Sequence, residues 1–333
     1  MPYTLLQAGD RRRGHRRRAW PAVAVLLLAA AATLAVAQRA QTPGTPPPDA
    51  QAAPFLDAGT APLAGGGTAP SPLAVQLDDP RDAVRYRSKR MPRAGLLFDL
   101  DSGRVLWRHR PERVAPIASL TKMMTALVVT DRVPEGAHVK ITKESLAYTG
   151  SGVGLLPRGK RIGVSTMLHG LMLPSGNDAA IALAQRAAGT VPRFVALMNR
   201  RARQMGLACT RFSSPSGIRD RGNHSCAPDL AAMARAVLRE PRLARIVRRP
   251  SAVLPFPVKG GRLYLYNNNP LLRAGYRGAT GVKTGYTRAA GRCIVATARR
   301  GDRRLGVVLL RSHDPGAQAR RLLDRGFAAL ASG

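Results

Sequence analysis

The stretch Ala118-Ser-Leu-Thr-Lys-Met-Met124 places a serine and a lysine three residues apart in apolar surroundings. Pro116 just upstream suits the start of a helix, so we expect Ser119 in the first turn of a buried helix. Residues three apart are neighbours on a helix surface, which sets the amine of Lys122 beside the hydroxyl of Ser119. A neutral amine there could take the hydroxyl proton and make the serine a nucleophile. Apolar residues recur along this segment at the spacing of a helix: Leu120, Met123, Met124, Leu127 and Val128.

Two short motifs follow in order and add weight to the Ser-x-x-Lys pair. Ser175-Gly-Asn177 begins 56 residues after Ser119, and Lys283-Thr-Gly285 begins 108 residues after Ser175. Each motif alone has an ordinary explanation, as a helix surface pair, a helix cap or a plain turn. Their ordered occurrence is the signature of penicillin-binding proteins and serine β-lactamases.

The residues around these motifs resemble the D-alanyl-D-alanine carboxypeptidase family of low-molecular-mass penicillin-binding proteins, serine peptidase family S11. The resemblance covers roughly residues 84–330 and implies a penicillin-recognising α/β (α+β) fold, an antiparallel sheet flanked by helices plus a mainly helical lobe. It also implies removal of the terminal D-alanine from peptidoglycan stem peptides ending in D-Ala-D-Ala, and covalent inhibition by β-lactams. Three segments carry it: Pro116-Ile-Ala-Ser-Leu-Thr-Lys-Met-Met-Thr-Ala-Leu127, Leu173-Pro-Ser-Gly-Asn-Asp-Ala-Ala180 and Gly281-Val-Lys-Thr-Gly-Tyr-Thr287.

The resemblance implies three catalytic residues, Ser119, Lys122 and Ser175. Ser119 attacks the carbonyl of the penultimate D-alanine, Lys122 accepts its proton, and Ser175 passes a proton toward the leaving amine. Lys122 must be neutral for this role, so its pKa has to fall from about 10.4 through burial or through a nearby cation such as Lys283. The expected oxyanion hole consists of the backbone N–H groups of Ser119 and Tyr286.

The remaining motif residues are expected to bind substrate: Asn177, Lys283, Thr284, Gly285, Tyr286 and Thr287. Lys283 and the Thr284 hydroxyl suit the terminal carboxylate, one as a charge and the other as a hydrogen-bond donor. Gly285 permits a close approach of its backbone because it has no Cβ. The amide of Asn177 can hold either the substrate backbone or Lys122. We expect neither a cofactor nor a metal, since the six histidines form no ligand-like pair.

Hydrophobic periodicity predicts helices and strands in both halves of the chain. Residues 94–107 fit a β-hairpin, and further strands are predicted near the end of the chain. We therefore expect an antiparallel sheet that is assembled from both ends of the chain. His169 lies in an apolar stretch, and we expect a core or solvated histidine there instead of a catalytic one. The predicted helices span 178–188, 191–205, 228–238 and 315–330, and the later strands span 262–266, 293–298 and 305–310.

The N-terminus has the pattern of an export signal. Six arginines between residues 11 and 18 precede an uncharged, apolar stretch that ends in Ala35-Val-Ala37. About 20 uncharged residues can also just span a bilayer, so residues 1–37 are predicted to be a cleaved signal peptide or a retained anchor. Residues 41–80 contain nine prolines and no lysine or arginine, so 38–83 are expected to form a flexible linker to a catalytic domain at 84–330. The protein is therefore expected outside the cytoplasm, in the bacterial cell envelope.

The formal net charge of +34 suggests an anionic partner. Of the 53 lysines and arginines, 46 lie after residue 80 and are scattered along the chain. Export and the lack of a nucleic-acid-binding motif in the sequence argue against nucleic acid. Two explanations stay open, an arginine-rich solvated surface or attraction to anionic envelope polymers and lipid headgroups.

Three cysteines suit an exported protein. Cys209 and Cys226 bracket a turn-rich segment, and they could form a disulfide if their Cα atoms lie within about 7 Å of each other. Cys293 lies in an apolar run and is expected to be a buried strand residue.

A serine β-lactamase would share the fold and the three motifs. Its class A type uses a glutamate for deacylation, and Glu240 is the only glutamate between Asn177 and Lys283. Endopeptidase and transpeptidase activities stay open, because the motifs do not distinguish water from an amine as acceptor. A non-catalytic envelope-binding module is disfavoured because the motif residues are intact. Only 48 residues follow Gly285, so a separate β-rich C-terminal domain is not expected.

Overall fold

The described part of the chain has a mixed α/β structure. The computed structural model describes residues 71–79, 82–154, 156–218, 221–257 and 261–331. Its strands are β1 (Ala94–Asp99), β2 (Val105–His109), β3 (Ala115–Pro116), β4 (His138–Lys140), β5 (Arg161–Gly163), β6 (His224–Ser225), β7 (Ser251–Pro255), β8 (Arg262–Tyr266), β9 (Ala279–Thr287), β10 (Gly291–Arg300) and β11 (Arg303–Ser312). Its α-helices are α1 (Lys122–Arg132), α2 (Lys143–Leu146), α3 (Val164–Met172), α4 (Asn177–Ala188), α5 (Val191–Gln204), α6 (Ala227–Arg239), α7 (Pro241–Val247), α8 (Pro270–Arg273) and α9 (Pro315–Ala331).

Five antiparallel strands form the central sheet, in the order β2-β1-β11-β10-β9. Strands β1 and β2 form the predicted hairpin, and β1 pairs with β11, a strand from the other end of the described chain. The predicted antiparallel sheet built from both chain ends is therefore confirmed. The edge strand β9 carries the Lys283-Thr-Gly285 motif.

Side chains on the two faces of the sheet enter two separate apolar cores. Leu96 and Phe98 of β1 belong to the core that also contains the buried residues of α1, α3, α4, α5 and α6. Leu97, between them, points to the other face and packs in a core with Leu322 and Leu323 of α9. The helical lobe thus lies on one face of the sheet and the C-terminal helix on the other. The four predicted helices correspond to α4, α5, α6 and α9.

The position of Ser119 corrects one detail of the prediction. Ser119 lies in a 3-10 turn, Ala118–Thr121, and the α-helix begins only at Lys122. The cause is local, because Ala118 has a φ of +47°, in the left-handed region that does not continue an α-helix. The turn closes instead through a bond from the backbone N–H of Leu120 to the carbonyl of Ile117.

The end of the predicted linker also needs correction. Residues 71–79 fall inside the predicted span 38–83, yet Gln76 forms a parallel bridge with Arg104. The carbonyl of Ala74 accepts a hydrogen bond from the guanidinium of the buried Arg235. These contacts hold the last part of the predicted linker against the domain. The predicted signal peptide or anchor and linker residues 38–70 lie outside the described residues, and no helix among the described ones is both long and apolar enough to cross a bilayer.

The cysteines and His169 take the positions expected from the sequence. Cys209 and Cys226 form a disulfide, with their Cα atoms 5.8 Å apart. Cys293 is buried in β10, and His169 is buried in α3.

Candidate active site

The amine of Lys122 lies at the centre of the site that the three motifs form. Its Nζ lies 2.9 Å from Ser119 Oγ, 2.7 Å from Asn177 Oδ1 and 2.8 Å from the carbonyl oxygen of Ser216. Lys122 is fully buried at the start of α1. The structure therefore joins the first two motifs through direct contacts with one amine.

The contacts of this amine determine whether an N–H group or the nitrogen lone pair of Lys122 faces the serine. Asn177 Oδ1 and the Ser216 carbonyl can only accept hydrogen bonds, so both take an N–H of Lys122. A neutral amine has two N–H groups, and its lone pair is then left to accept the proton of the Ser119 hydroxyl. The arrangement can therefore carry out general-base activation of the serine.

The electrostatics favour the neutral form of Lys122. Burial lowers the pKa of Lys122 well below its usual value, the charge of Lys283 lowers it further, and Asp178 opposes the change. Both causes named from the sequence, burial and a nearby cation, thus act on this amine.

Two glycines allow the backbone around Ser119 to be enclosed tightly. A Cβ on Gly285 of β9 would lie 3.0 Å from the backbone nitrogen of Ser119 and 3.0 Å from the carbonyl oxygen of Ile117. A Cβ on Gly217, whose φ is +76°, would collide with the carbonyl of Ala118. The turn that contains Ser119 is therefore held between the edge strand and the loop that supplies the Ser216 carbonyl, and each neighbour needs a glycine at its contact point.

The second motif lies where α4 begins. The Nδ2 of Asn177 donates to the carbonyl of Thr149 at 2.6 Å, which fixes the amide with its oxygen toward Lys122. The sequence left open whether the amide of Asn177 holds the substrate backbone or Lys122, and the structure shows the contact with Lys122. The buried carboxylate of Asp178 accepts hydrogen bonds from the backbone N–H groups of Val153 and Gly154 and so holds the neighbouring loop.

Ser175 combines an unusual backbone conformation with a hydroxyl that lacks a partner. Its φ is +69°, a conformation that costs a non-glycine residue free energy. Its Oγ is buried and makes no hydrogen bond to the described residues. Ser175 lines the same cleft as Ser119, so its hydroxyl is available to a ligand in that cleft.

Lys283 extends from the edge strand into a buried position. Its Nζ donates to the carbonyl of Thr284 at 2.9 Å, and burial lowers the pKa of Lys283 to about 7. This amine changes charge near neutral pH and lies close enough to Lys122 to influence its pKa. An anionic group that reached Lys283 would favour its charged form.

An open cleft of about 320 Å³ runs between the turn that contains Ser119 and the edge strand β9. Tyr286 stands at its rim with 67% of its side chain exposed. Thr287 does not line this cleft in the described structure, and its Oγ1 accepts a hydrogen bond from the backbone N–H of Ala290 in the turn after β9. None of the described residues that line the cleft has a carboxylate side chain: Ser119, Ser151, Ser175, Asn268, Pro270, Thr284, Gly285, Tyr286, Arg292, Cys293 and Pro315.

The comparisons with known proteins identify the family of the chain. The sequence model of peptidase family S11, described as D-alanyl-D-alanine carboxypeptidase, matches residues 87–313. The chain belongs to this family. Among curated S11 relatives, it is 38% identical to the D-alanyl-D-alanine carboxypeptidase DacB2 of Mycobacterium tuberculosis over 242 residues, 70% of this chain and 81% of the relative. It is 33% identical to the D-alanyl-D-alanine carboxypeptidase DacF of Bacillus subtilis over 245 residues, 71% of this chain and 62% of the relative. The matched region thus spans about three-fifths of the length of some curated relatives.

Solved structures of S11-like enzymes share the fold. The D-alanyl-D-alanine carboxypeptidase of Mycobacterium tuberculosis H37Rv superposes with a TM-score of 0.69 at 34% identity, covering 74% of this chain and 94% of that one. The Streptomyces K15 DD-transpeptidase superposes with a TM-score of 0.68 at 30% identity, covering 73% of this chain and 100% of that one. The predicted penicillin-recognising fold is confirmed.

Two contributors to the candidate site were missed from the sequence. The carbonyl of Ser216 binds Lys122, and the carbonyl of Thr149 orients Asn177. Both act through backbone atoms, which every residue type carries, so side-chain patterns gave no sign of them. The residues Phe212-Ser-Ser-Pro-Ser-Gly-Ile218 belong to the turn-rich segment between Cys209 and Cys226, which the disulfide closes.

Proposed function

We propose that the protein is an exported serine-type D-Ala-D-Ala carboxypeptidase that removes the terminal D-alanine from peptidoglycan stem peptides through an acyl-enzyme on Ser119. The observation that carries the proposal is the set of three contacts made by the buried amine of Lys122. These contacts support a neutral lysine whose lone pair faces the serine hydroxyl. Membership of family S11 supports the substrate class.

Acylation begins when the Ser119 hydroxyl gives its proton to Lys122 and its oxygen attacks the carbonyl carbon of the penultimate D-alanine. The negative charge that develops on the substrate oxygen is stabilised by the backbone N–H groups of Ser119 and Tyr286, as such donors do in acyl transfer. The carbon–nitrogen bond to the terminal D-alanine then breaks. The leaving amine receives a proton from Lys122, with the Ser175 hydroxyl as the relay between them.

Deacylation reverses the roles of these groups. Water attacks the ester carbonyl, Lys122 takes the water proton, and Ser119 leaves with its hydroxyl restored. Asn177 keeps Lys122 in place throughout, through its contact at 2.7 Å.

The substrate carboxylate is assigned to Lys283 and the Thr284 hydroxyl. A carboxylate favours the charged form of Lys283, so this binding offsets part of the free energy needed to bury the charged amine. The exposed edge of β9 suits a peptide bound in extended form. Thr287 is assigned a secondary role, since its described contact lies in the turn after β9.

The place of action follows from the N-terminal sequence and from the family's cell-wall substrates. A basic segment followed by an apolar one supports export to the cell envelope. β-Lactams would acylate Ser119 in place of the peptide, because they present a reactive carbonyl and a carboxylate to the same groups.

The test is to incubate the purified chain with a stem pentapeptide ending in D-Ala-D-Ala and to measure the products by mass spectrometry. Loss of one alanine is expected, together with slow, stoichiometric labelling by a fluorescent penicillin. Ser119→Ala should abolish both and keep the circular dichroism spectrum of the parent. Turnover or labelling by the Ser119→Ala variant would contradict the proposal.

A DD-transpeptidase or DD-endopeptidase is the second candidate, and the similarity to the Streptomyces K15 DD-transpeptidase favours it. Adding an amine acceptor or cross-linked muropeptides to the same assay separates these activities, by a new peptide bond or by the cleavage of cross-links. A serine β-lactamase is less favoured, because none of the described residues lining the cleft is a carboxylate. Glu240, the glutamate considered from the sequence, instead caps α7 through the backbone N–H of Arg242.

A further inference from the structure

A second cavity lies apart from the catalytic cleft, between α3 and α7, and shares no lining residue with it. It has a volume of about 240 Å³. Three arginines line it, Arg242 and Arg245 on α7 and Arg249 just beyond that helix. We call it the basic cavity.

The charges in the basic cavity do not balance. Glu135 is the one carboxylate among its described lining residues, and its oxygens lie 3.7 Å from Arg245 and 4.0 Å from Arg242. Both distances are too long for good hydrogen bonds. Arg242 also donates to the carbonyl of Val133, whereas Arg245 has most of its hydrogen-bonding capacity unused within the described structure. The cavity is therefore positively charged and has guanidinium groups available to an anion.

A buried histidine adds a second, independent feature. His169 is only 6% exposed, and its Nδ1 lies 2.7 Å from the carbonyl oxygen of Ser165. A carbonyl only accepts, so Nδ1 carries the proton. In the neutral ring Nε2 is then an acceptor, and it has no hydrogen-bond partner among the described residues. Burial, aided by the charge of Arg249, lowers the pKa of His169 below its usual value, which favours this neutral form.

The ligand that fits must offer charged oxygens to the arginines and a hydroxyl to the histidine. A carboxylate or a sulfate has charged oxygens but no proton at neutral pH. Inorganic phosphate and phosphomonoesters have a second pKa of about 6. A fraction of these molecules therefore still carries a P–OH group at neutral pH. Guanidinium groups also match the geometry of phosphate oxygens.

We propose that the basic cavity binds a phosphate group that retains one proton, either inorganic phosphate or the end of a phosphomonoester. Its charged oxygens contact Arg245 and Arg249, and its P–OH donates to Nε2 of His169. This site is independent of the proposed carboxypeptidase activity. The net charge of +34 suggests that the chain attracts anions, and the basic cavity would be one specific site at which an anion binds.

Calorimetric titration of the full chain with phosphate, glycerol 1-phosphate and sulfate, at constant ionic strength, tests the proposal. At a pH of about 6.5, where about a quarter of the phosphate still carries a P–OH, we expect saturable binding of phosphate. Binding of sulfate should be weaker by about tenfold because it leaves Nε2 unpaired. The charged groups around His169 are Glu135, Arg242, Arg245 and Arg249. Burial holds the pKa of His169 below its usual value, so its imidazole gains a proton only as the solution becomes more acidic. Sulfate binding should therefore strengthen as the pH falls and the protonated Nε2 becomes a donor. Binding of glycerol 1-phosphate as well would identify an esterified source, and binding of phosphate alone a free one.

Matched variants separate this site from general attraction to a basic surface. Arg245→Gln and Arg249→Gln should each weaken phosphate binding by at least about fivefold. Arg248→Gln removes the same charge from an exposed residue that does not line the cavity, and it should change binding less than twofold. All three variants should label with fluorescent penicillin like the parent. Equal weakening in all three, equal binding of sulfate and phosphate at a pH of about 6.5, or no saturable binding would overturn the proposal.

Discussion

The Nζ of Lys122 lies 2.9 Å from the Oγ of Ser119. The other two acceptors of that amine belong to residues 55 and 94 positions further along the chain. One side chain thus unites three distant segments. In the proposed mechanism its protonation state determines whether the serine can react. A change of charge at these acceptors should therefore alter the pH dependence of acylation without altering Ser119.

The acid limb is the pH range in which the acylation rate falls as the solution becomes more acidic. Asn177→Asp should move this limb to higher pH by about 1 to 3 pH units, because a carboxylate beside Lys122 favours the charged form of the lysine. The measurement is the rate of fluorescent penicillin labelling from acidic to alkaline pH. Asn177→Ala is the control, since it removes the same acceptor without adding a charge. It should slow labelling and leave the limb where it is in the parent. An unmoved limb in Asn177→Asp would contradict the role assigned to Lys122.

Lys283 should produce the alkaline limb of kcat/KM for peptides that end in a carboxylate. The pKa of Lys283 is lowered to about 7 by burial, so its amine is charged below that pH and loses its charge above it. Recognition of the carboxylate should weaken as the pH rises through about 7, and kcat/KM reports the ionisation of the free enzyme. A substrate with an amidated C-terminus should bind less well and lack this limb. Lys283→Arg, which stays charged, should move the limb out of the measured range.

Ser175→Ala should slow acylation by about 10² to 10⁴, the usual contribution of a positioned proton-transfer group. Ser175→Gly should lose as much activity but gain about 1 kcal/mol in the free energy of unfolding, because glycine adopts the φ of +69° without strain. Stopped-flow labelling measures the first effect and urea denaturation the second. If Ser175→Ala labelled as fast as the parent, the hydroxyl would have a structural role only.

The sequence was most informative where side-chain chemistry carries the function. The serine, lysine and asparagine of the first two motifs can be found from their types and order, and the structure brings Ser119, Lys122 and Asn177 into direct contact. The antiparallel sheet was predictable for a similar reason, since apolar strands occur at both ends of the chain. These features depend on residue type and spacing, which a sequence displays directly.

Features that depend on backbone geometry were less accessible. The carbonyl of Ser216 binds Lys122 only because the chain turns back at this point, and any residue could supply such a carbonyl. The 3-10 turn at Ser119 depends on the left-handed conformation of Ala118, for which alanine gives no warning. Likewise, the segment around Gln76 has the composition of a linker, and long-range contacts still hold it to the domain.

Removing the Cys209–Cys226 disulfide should affect both stability and acylation, because it closes the segment that supplies the Ser216 carbonyl. The carbonyl of Pro215 in the same segment accepts a hydrogen bond from Thr125 of α1 at 2.6 Å, so the loop is anchored to the helix that begins at Lys122. The double variant Cys209→Ala/Cys226→Ala should lose about 2 to 4 kcal/mol of unfolding free energy.

The same double variant should also label more slowly with penicillin, since a looser Ser216 carbonyl holds the Lys122 amine less firmly. Treating the parent with a dithiol reductant should reproduce both effects, whereas the variant should not respond to the reductant. Urea denaturation and stopped-flow labelling, each with and without reductant, provide the four comparisons. A variant that is less stable but labels at the parental rate would show that the disulfide supports the fold alone, because the remaining contacts of the loop then suffice to hold the carbonyl on the amine.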